Sequence, residues 1–333
     1  MSHVTSAYRW GHLRADTVDE WADLNNILAR VDDTDEFLEA EDLLEDLDSP
    51  SFDAPRDSWT IWSGPDLVGI GRVLVPEALS NEGLARTYLL GGVHPDYRGQ
   101  GIGRRLIEAQ ERRGWDLAQQ RHPGHPTAWF ADGGIPGASV RALLSRRGYE
   151  IARYFAHMVR PVRTELASAE LSVPATGLPA GVVLITPDPS MSEELRHLHN
   201  VAFEDHWGSG ARTEQAWREA RESRTARTQF SSVAVDRDGQ PLAYVWAAQW
   251  TKRELYIDAV GTAPSARHRG LARACLARTL ALAAASGDYD LVDLGVDAAS
   301  LTGATRLYEQ LGFTVDRTFA LYSRPMPSVS EPA

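Results

Sequence analysis

The sequence predicts an α/β protein made of two tandem copies of one domain, and three observations predict it. An apolar run over 88–93 reads as a buried strand, breaks at Pro95-Asp96 and crosses a glycine-rich loop; it then enters a helix whose Ile102, Leu106 and Ala109 share one face. The layout returns downstream, where Arg267-x-x-Gly270-x-Ala272 matches Arg98-x-x-Gly101-x-Gly103 at an offset of 169. Later landmarks repeat in the same order, Gly148-Tyr149 with Gly312-Phe313 and Arg160-Pro161 with Arg324-Pro325, both at an offset of 164. Chance matches would not keep order and spacing together. A chain of 333 residues suits two domains of roughly 150 each. The expected division is a first domain over 1–163, a linker over 164–180 and a second domain over 181–333.

The elements of the first half follow in order. Residues 7–13 read as a strand, and 17–31 as a helix with Val18, Trp21, Leu24, Ile27 and Leu28 at helical spacing. Ten carboxylates crowd 32–48, interleaved with Phe37, Leu43, Leu44 and Leu47, which predicts a short amphipathic helix with a solvated acidic face. Strands over 59–62 and 67–75 flank a turn at Gly64-Pro65-Asp66. After the glycine loop and its helix come a strand at 127–130, a helix at 139–145 and closing strands over 149–160. Residues 162–180 are rich in Ser, Ala, Pro and Thr without a period, as a linker is.

The second half restarts the series. A strand is expected at 182–185, a helix at 192–203 and another opened by Thr213. Strands at 232–235 and 242–250 enclose the turn Asp236-Arg237-Asp238-Gly239, and a strand at 255–260 leads into the second loop. In the helix after it Leu271, Ala274, Cys275 and Leu282 share a face that Arg278 interrupts. A strand at 291–296 and a helix at 304–311 follow.

Composition narrows the function classes. With 43% hydrophobic and 24% charged residues the chain is of ordinary globular type, and no run approaches the roughly 18 to 20 apolar residues of a membrane span. The first residues carry no basic region followed by an apolar core, and the lone Cys275 precludes an internal disulfide. A cytoplasmic protein with a structural, buried cysteine is expected. The net charge of -12 argues against broad nucleic-acid binding. His122 and His125 flank Pro-Gly without Cys or carboxylate partners at ligand spacing, so no metal is expected. No Gly-x-Ser-x-Gly nucleophile turn is present.

The glycine loops carry the chemistry. Their backbone N–H groups lie at a helix start, where donors lack intrahelical partners and the dipole is positive. That makes a pocket for phosphate oxygens, with Arg98 and Arg104 adding charge beside the first. The absence of Gly-Lys-Ser/Thr removes a P-loop, and Gly-x-Gly-x-Gly is not the Gly-x-Gly-x-x-Gly of dinucleotide folds. The pattern Arg98-x-x-Gly101-x-Gly103, with its strand and Val93-x-Pro95 lead-in, resembles the pyrophosphate-binding motif of the GCN5-related N-acetyltransferases, the GNAT family. The layout is similar to the tandem, two-domain members of actinobacteria.

The resemblance implies two GNAT domains, each a mixed, mostly antiparallel sheet flanked by helices. It implies acetyl-CoA, or another acyl-CoA, as co-substrate and direct transfer to a primary amine, a small-molecule acceptor, in a ternary complex. It assigns the cofactor to Val93, Arg98, Gly99, Gln100, Gly101, Gly103 and Arg104 in the first half. In the second half it assigns Val260, Thr262, Arg267, His268, Arg269, Gly270, Ala272 and Arg273. It also implies that the acidic segment forms part of the acceptor site. The family's late helix often reads Ala-x-x-Leu-Tyr-x-x-x-Gly-Phe, its tyrosine protonating the leaving thiolate. Ala304 to Phe313 match it in full, and Leu144 stands in the first half where Tyr308 stands in the second. Leucine has no proton to give, so the resemblance makes the C-terminal domain catalytic with Tyr308 as general acid. The asparagine often found before that helix is missing, with Ser300 and Leu301 in the region.

For the base, Glu254 and Asp258 are candidates, four apart on one face of a mostly apolar strand, where desolvation raises a carboxylate's pKa. His206, beside Trp207, is expected to pack near the acceptor entrance. Two other readings stay open, a non-catalytic acyl-CoA sensor or assembly protein and an aminoacyl-tRNA-dependent acyltransferase on the same fold.

Overall fold

In a computed structural model, which describes residues 8–34, 36–162, 178–299 and 303–327, the strand–loop–helix unit is built twice. The chain forms two compact units, one of Met1–Tyr154 with Phe319–Ala333 and the other of Phe155–Thr318.

In the first unit the strands are β1 (Arg9–Gly11), β2 (Ser58–Ser63), β3 (Asp66–Leu74), β4 (Ala85–Val93) and β5 (Thr127–Asp132), joined by the end of β12 (Thr314–Pro325). They lie in the order β1-β2-β3-β4-β5-β12. Only β4 and β5 run parallel, so the sheet is mixed and mostly antiparallel. Helices α1 (Val18–Asp32) and α2 (Ala40–Asp48) contribute Trp21, Leu24 and Leu43 to a cluster with Trp62, Leu67 and Ile70. A short α3 (Ala54–Asp57) precedes β2. Ile107 and Leu117 of α4 (Ile102–Arg121) and Leu144 of α5 (Ser139–Arg146) meet Trp129, Ala320 and Tyr322 in another.

The second unit repeats the plan with β7 (Val183–Ile185), β8 (Ser232–Val235), β9 (Pro241–Ala248), β10 (Glu254–Thr262) and β11 (Leu291–Asp297). The end of β6 (Glu150–Pro161) completes it, pairing antiparallel with β11 from Leu291↔Pro161 to Asp297↔Phe155. Again one pair, β10 with β11, is parallel. Helices α6 (Ser192–Ala202) and α7 (Glu214–Glu222) supply Leu195, Leu198 and Trp217 to a cluster with Tyr244 and Trp246. Thr213 caps α7, accepting from the Ala216 N–H at 3.2 Å. Leu271, Cys275 and Leu280 of α8 (Leu271–Ser286) pack with Val245, Ile257, Leu294 and Met158, joined by Tyr308 of α9 (Ala304–Gln310). Cys275 is buried, which pushes its thiol up to about 12, the inert behaviour of a core cysteine. Arg278 breaks the stripe because it turns to Thr186 Oγ1 at 2.9 Å and Ser232 Oγ at 3.0 Å.

The compact units divide the chain elsewhere than at 164–180. The closing strands of the first half are one strand, β6, and its residues from Phe155 onward belong to the second unit. The chain's last strand returns to the first unit, pairing Leu321–Pro325 with β5. Each unit thus takes its final strand from the other half of the sequence. Strand pairing is nonlocal, and periodicity reports that a strand exists without naming its partner. Most of the expected linker lies outside the described residues.

Candidate functional site

Each parallel strand pair parts before it ends. β4 pairs with β5 only over Ala85–Leu89, and Leu90–Val93 run on against β3 alone. β10 pairs with β11 only over Glu254–Ile257, and its last residues follow β9 alone after a register shift between Ile257 and Ala259. The parting leaves backbone groups of both strands unclaimed by the neighbouring strand, among them those of Val93, Val260 and Thr262. In β4 the backbone turns at Gly91, whose φ is 121° and whose Cβ, were there one, would collide with the Ile70 carbonyl. In β10 the bulge at Asp258 does this work.

At the end of each parted strand sits a glycine loop. Gly101 and Gly270 cap α4 and α8 in left-handed conformation, φ 82° and 76°. Nothing lies within 4 Å of the position a Cβ would take at Gly99 or Gly270, so both cradles are open above the helix N-termini. His268 occupies the left-handed place of Gly99 at φ 61°. A Cβ at Gly103 would make an ordinary contact of 3.5 Å to Leu143, which is why Ala272 serves at the equivalent place. Arg104, Arg269 and Arg273 are exposed and, among the described residues, make no ion pair. N–H donors and free guanidinium groups around an open cradle suit a pyrophosphate.

Arg98 and Arg267 do something else. The Arg98 guanidinium makes two bonds to Asp32, at 2.8 and 2.6 Å, and its Nε donates to the Val93 carbonyl at 3.0 Å. Arg267 likewise reaches Asp205 at 3.2 Å and the Ala202 carbonyl at 3.1 Å. The motif arginine thus ties its loop to the end of the first helix of its unit. Gln100 is also engaged, accepting from Tyr8 Oη at 2.6 Å and donating to the Asp96 carbonyl.

Tyr308 is 8% exposed and packs edge-on to Phe313, ring centroids 6.0 Å apart. Burial pushes its phenol up to about 12, so it holds its proton at neutral pH. Its cluster includes Ala266 and Leu271, on either side of the second loop, with Val260 packed against it. Leu144 is fully buried at the matching place in α5.

The two candidate bases part company. Glu254 begins β10, where β10 and β11 are still paired, about 13 Å along the strand from Asp258. Asp258 sits at the bulge, where Arg221 of α7 donates to its Oδ2 at 2.5 Å. The Arg221 guanidinium stacks over Trp246 at 4.6 Å and Trp217 at 5.4 Å. Beneath lies a buried pair, His199 Nδ1 2.6 Å from Tyr244 Oη. Burial, then Arg212 and Arg221, lower His199 to about 4, and burial raises Tyr244. The Tyr244 hydroxyl therefore donates to an unprotonated Nδ1. His206 packs as expected, 5.3 Å from the Phe203 ring, with Nδ1 3.0 Å from Ser209 Oγ.

Sequence reasoning did not find Arg221, Trp246, His199 or Tyr244, which converge from separate elements and carry no motif. It also passed over Asp132, the last residue of β5. Burial raises the pKa of Asp132, and burial and then Asp132 itself raise that of Glu36 in the acidic segment. Both stay open to solvent while protein crowds them. The rest of the acidic helix behaves as a solvated face, closed by a capping box between Glu39 and Asp42. Ser300 and Leu301 lie outside the described residues. No group of His, Cys, Asp and Glu among the described residues could hold a metal ion, and no helix there is long and apolar enough to cross a membrane.

Comparison with known proteins agrees with this plan. The family model described as "Acetyltransferase (GNAT) family" matches residues 192–313, and "Acetyltransferase (GNAT) domain" matches 57–131. The chain is 31% identical to a mycothiol acetyltransferase of Pseudarthrobacter chlorophenolicus over 277 residues, 78% of this chain and 75% of that one. It is 34% identical to one of Thermobispora bispora, covering 70% of this chain and 74% of that one. Among solved structures, a GCN5-related N-acetyltransferase from Sphaerobacter thermophilus shares the fold with a TM-score of 0.72, at 22% identity and 97% coverage of both chains. A tandem GNAT protein from the clavulanic acid biosynthesis pathway has a TM-score of 0.66, at 21% identity, covering 96% of this chain and 99% of that one.

Proposed function

The chain belongs to the GNAT family and is an N-acetyltransferase, and we propose that its C-terminal unit performs the transfer, from acetyl-CoA directly to the primary amine of a small molecule. The observation that carries the choice of unit is the contrast at one helix position, with Tyr308 in α9 and Leu144 in α5.

Backbone N–H groups over 268–272, with Arg269 and Arg273, hold the cofactor's pyrophosphate, and the first loop with Arg104 offers the same cradle without a proton donor behind it. When bound, acetyl-CoA supplies an electrophilic thioester carbonyl. Backbone donors of Val260 and Thr262 polarise that carbonyl in the parted strand. Asp258 keeps one oxygen on Arg221 and presents the other to the incoming ammonium, taking its proton directly or through water. Tyr308, neutral across the working pH range, gives its proton to the departing thiolate. Arg98 and Arg267 position the loops. The relatives named for mycothiol make a mycothiol-related amine the first acceptor to assay.

The test is a coupled assay of free thiol release with an amine panel. Tyr308→Phe should lower kcat by roughly 100-fold or more while acetyl-CoA still binds. Full turnover in that variant would remove the assignment to the C-terminal unit, and turnover lost instead on changing the first loop would transfer it to the other.

A further inference from the structure

A recess of about 440 Å³ opens in the first unit between α4 and strands β1 and β2, within the size range of small-molecule sites. Trp10 and Trp59 line it from the strands, and Arg105 and Arg112 from the helix. Arg105, Ala109 and Arg112 recur at i, i+4 and i+7, so they share one face of α4, and the small Ala109 leaves room between the two cations. No residue of the glycine loop lines the recess.

The charge balance is one-sided. Among the described residues neither Arg105 nor Arg112 makes an ion pair. The carboxylate in the recess, Glu108, is taken by Arg147 at 3.1 Å. The exposed Arg105 guanidinium lies 4.8 Å over the Trp10 ring, a cation–π contact. Among the described residues the Trp10 indole N–H is buried without an acceptor. His12 adds an acceptor: its Nδ1 lies 2.7 Å from the Ser58 carbonyl, which only accepts, so Nδ1 carries the hydrogen and a neutral ring leaves Nε2 bare.

We propose that this recess is a second ligand site, separate from both glycine loops, for a flat aromatic ring bearing a carboxylate. The ring stacks with the indoles and the Arg105 plane. The carboxylate takes the two guanidinium groups, and a ring hydroxyl or N–H finds His12. A carboxylate without a ring lacks the stacking surface, and a neutral ring leaves both cations unmatched.

The experiment is calorimetric titration of 1-naphthoate into the full chain saturated with acetyl-CoA. Neutral 1-naphthalenemethanol and ringless acetate serve as controls. Saturable binding of naphthoate alone is expected at one site per chain. Arg105→Gln and Arg112→Gln, both on the exposed side of α4, should each weaken it at least fivefold while acetyl-CoA affinity stays within twofold. Displacement of naphthoate by acetyl-CoA, equal binding of the neutral alcohol, or no saturation at millimolar naphthoate would each overturn the proposal.

Discussion

Arg324, near the end of β12, is ion-paired to Glu111 of α4 at 3.1 Å. It also donates to the Arg147 carbonyl at 2.6 Å and stacks over Trp129 and Tyr149, at 4.4 and 4.9 Å. Glu111 is nearly buried and accepts from Arg147 and from Tyr149 Oη as well. Removing a cation from such a network leaves a carboxylate underpaired in a poor solvent. Arg324→Ala should therefore destabilise the first unit by about 3 kcal/mol, the usual consequence of breaking a buried ion pair. Denaturant unfolding followed by tryptophan fluorescence should move to a lower midpoint; an unchanged curve would mean the network contributes nothing net.

The two loops make a stoichiometry prediction. If both cradles hold acetyl-CoA, calorimetry should give two sites per chain, and Gly101→Glu and Gly270→Glu should each leave one. Glutamate at these positions combines a left-handed backbone it tolerates poorly with a negative charge where phosphates would lie. A value of one in the wild type, lost in only one variant, would name a single working cradle.

Tyr308 sets a limit on the pH profile. Its proton is held to about pH 12, so if Tyr308 is the general acid proposed above, its ionisation should not bend kcat downward below roughly pH 10. A basic limb that disappears in Tyr308→Phe would show the phenol titrating far lower than its burial implies.

His199 predicts acid sensitivity. Its folded pKa of about 4 lies below the ordinary 6.5, so between these values the unfolded chain binds more protons and stability rises with pH. The contribution of His199 is complete above about pH 6.5 and is lost as pH falls toward 4, by up to about 3 kcal/mol at the low end. His199→Gln, which keeps an acceptor for Tyr244, should flatten this slope in denaturation curves measured from pH 4 to 7. An equally steep slope in the variant would place the sensitivity elsewhere.

Much of the fold was legible because it is periodic and repeated. The helix over 102–121 and the strands around it follow from apolar spacing, and the loops announce themselves by glycines that only a special backbone requires. Arg98 and Arg267 show where reading stopped. The motif marked them as conspicuous, yet their partners Asp32 and Asp205 lie in the preceding helical segments, and no local pattern links them. Asp258 and Glu254 looked alike on one strand face until the bulge and the parting of the strands separated them. The Arg160 and Arg324 repeat was visible as a landmark, but not that each completes the unit begun by the other half. A Cβ at Gly312 would lie 3.5 Å from Arg160, as one at Gly148 would lie 3.8 Å from Arg324.

The traded strands also set an order of events on the ribosome. Residues 1–154 can form α1 to α5 and their sheet as they emerge, but the partner for the free edge of β5 is made only at 321–325. At roughly 5–20 residues per second, that edge waits about ten seconds or more for its partner, exposed to whatever else carries an unpaired strand, and Glu111, already held by Arg147 and Tyr149, gains Arg324 only then. The second unit, whose β6 is made before the rest of it, has no such wait at its own β11 edge.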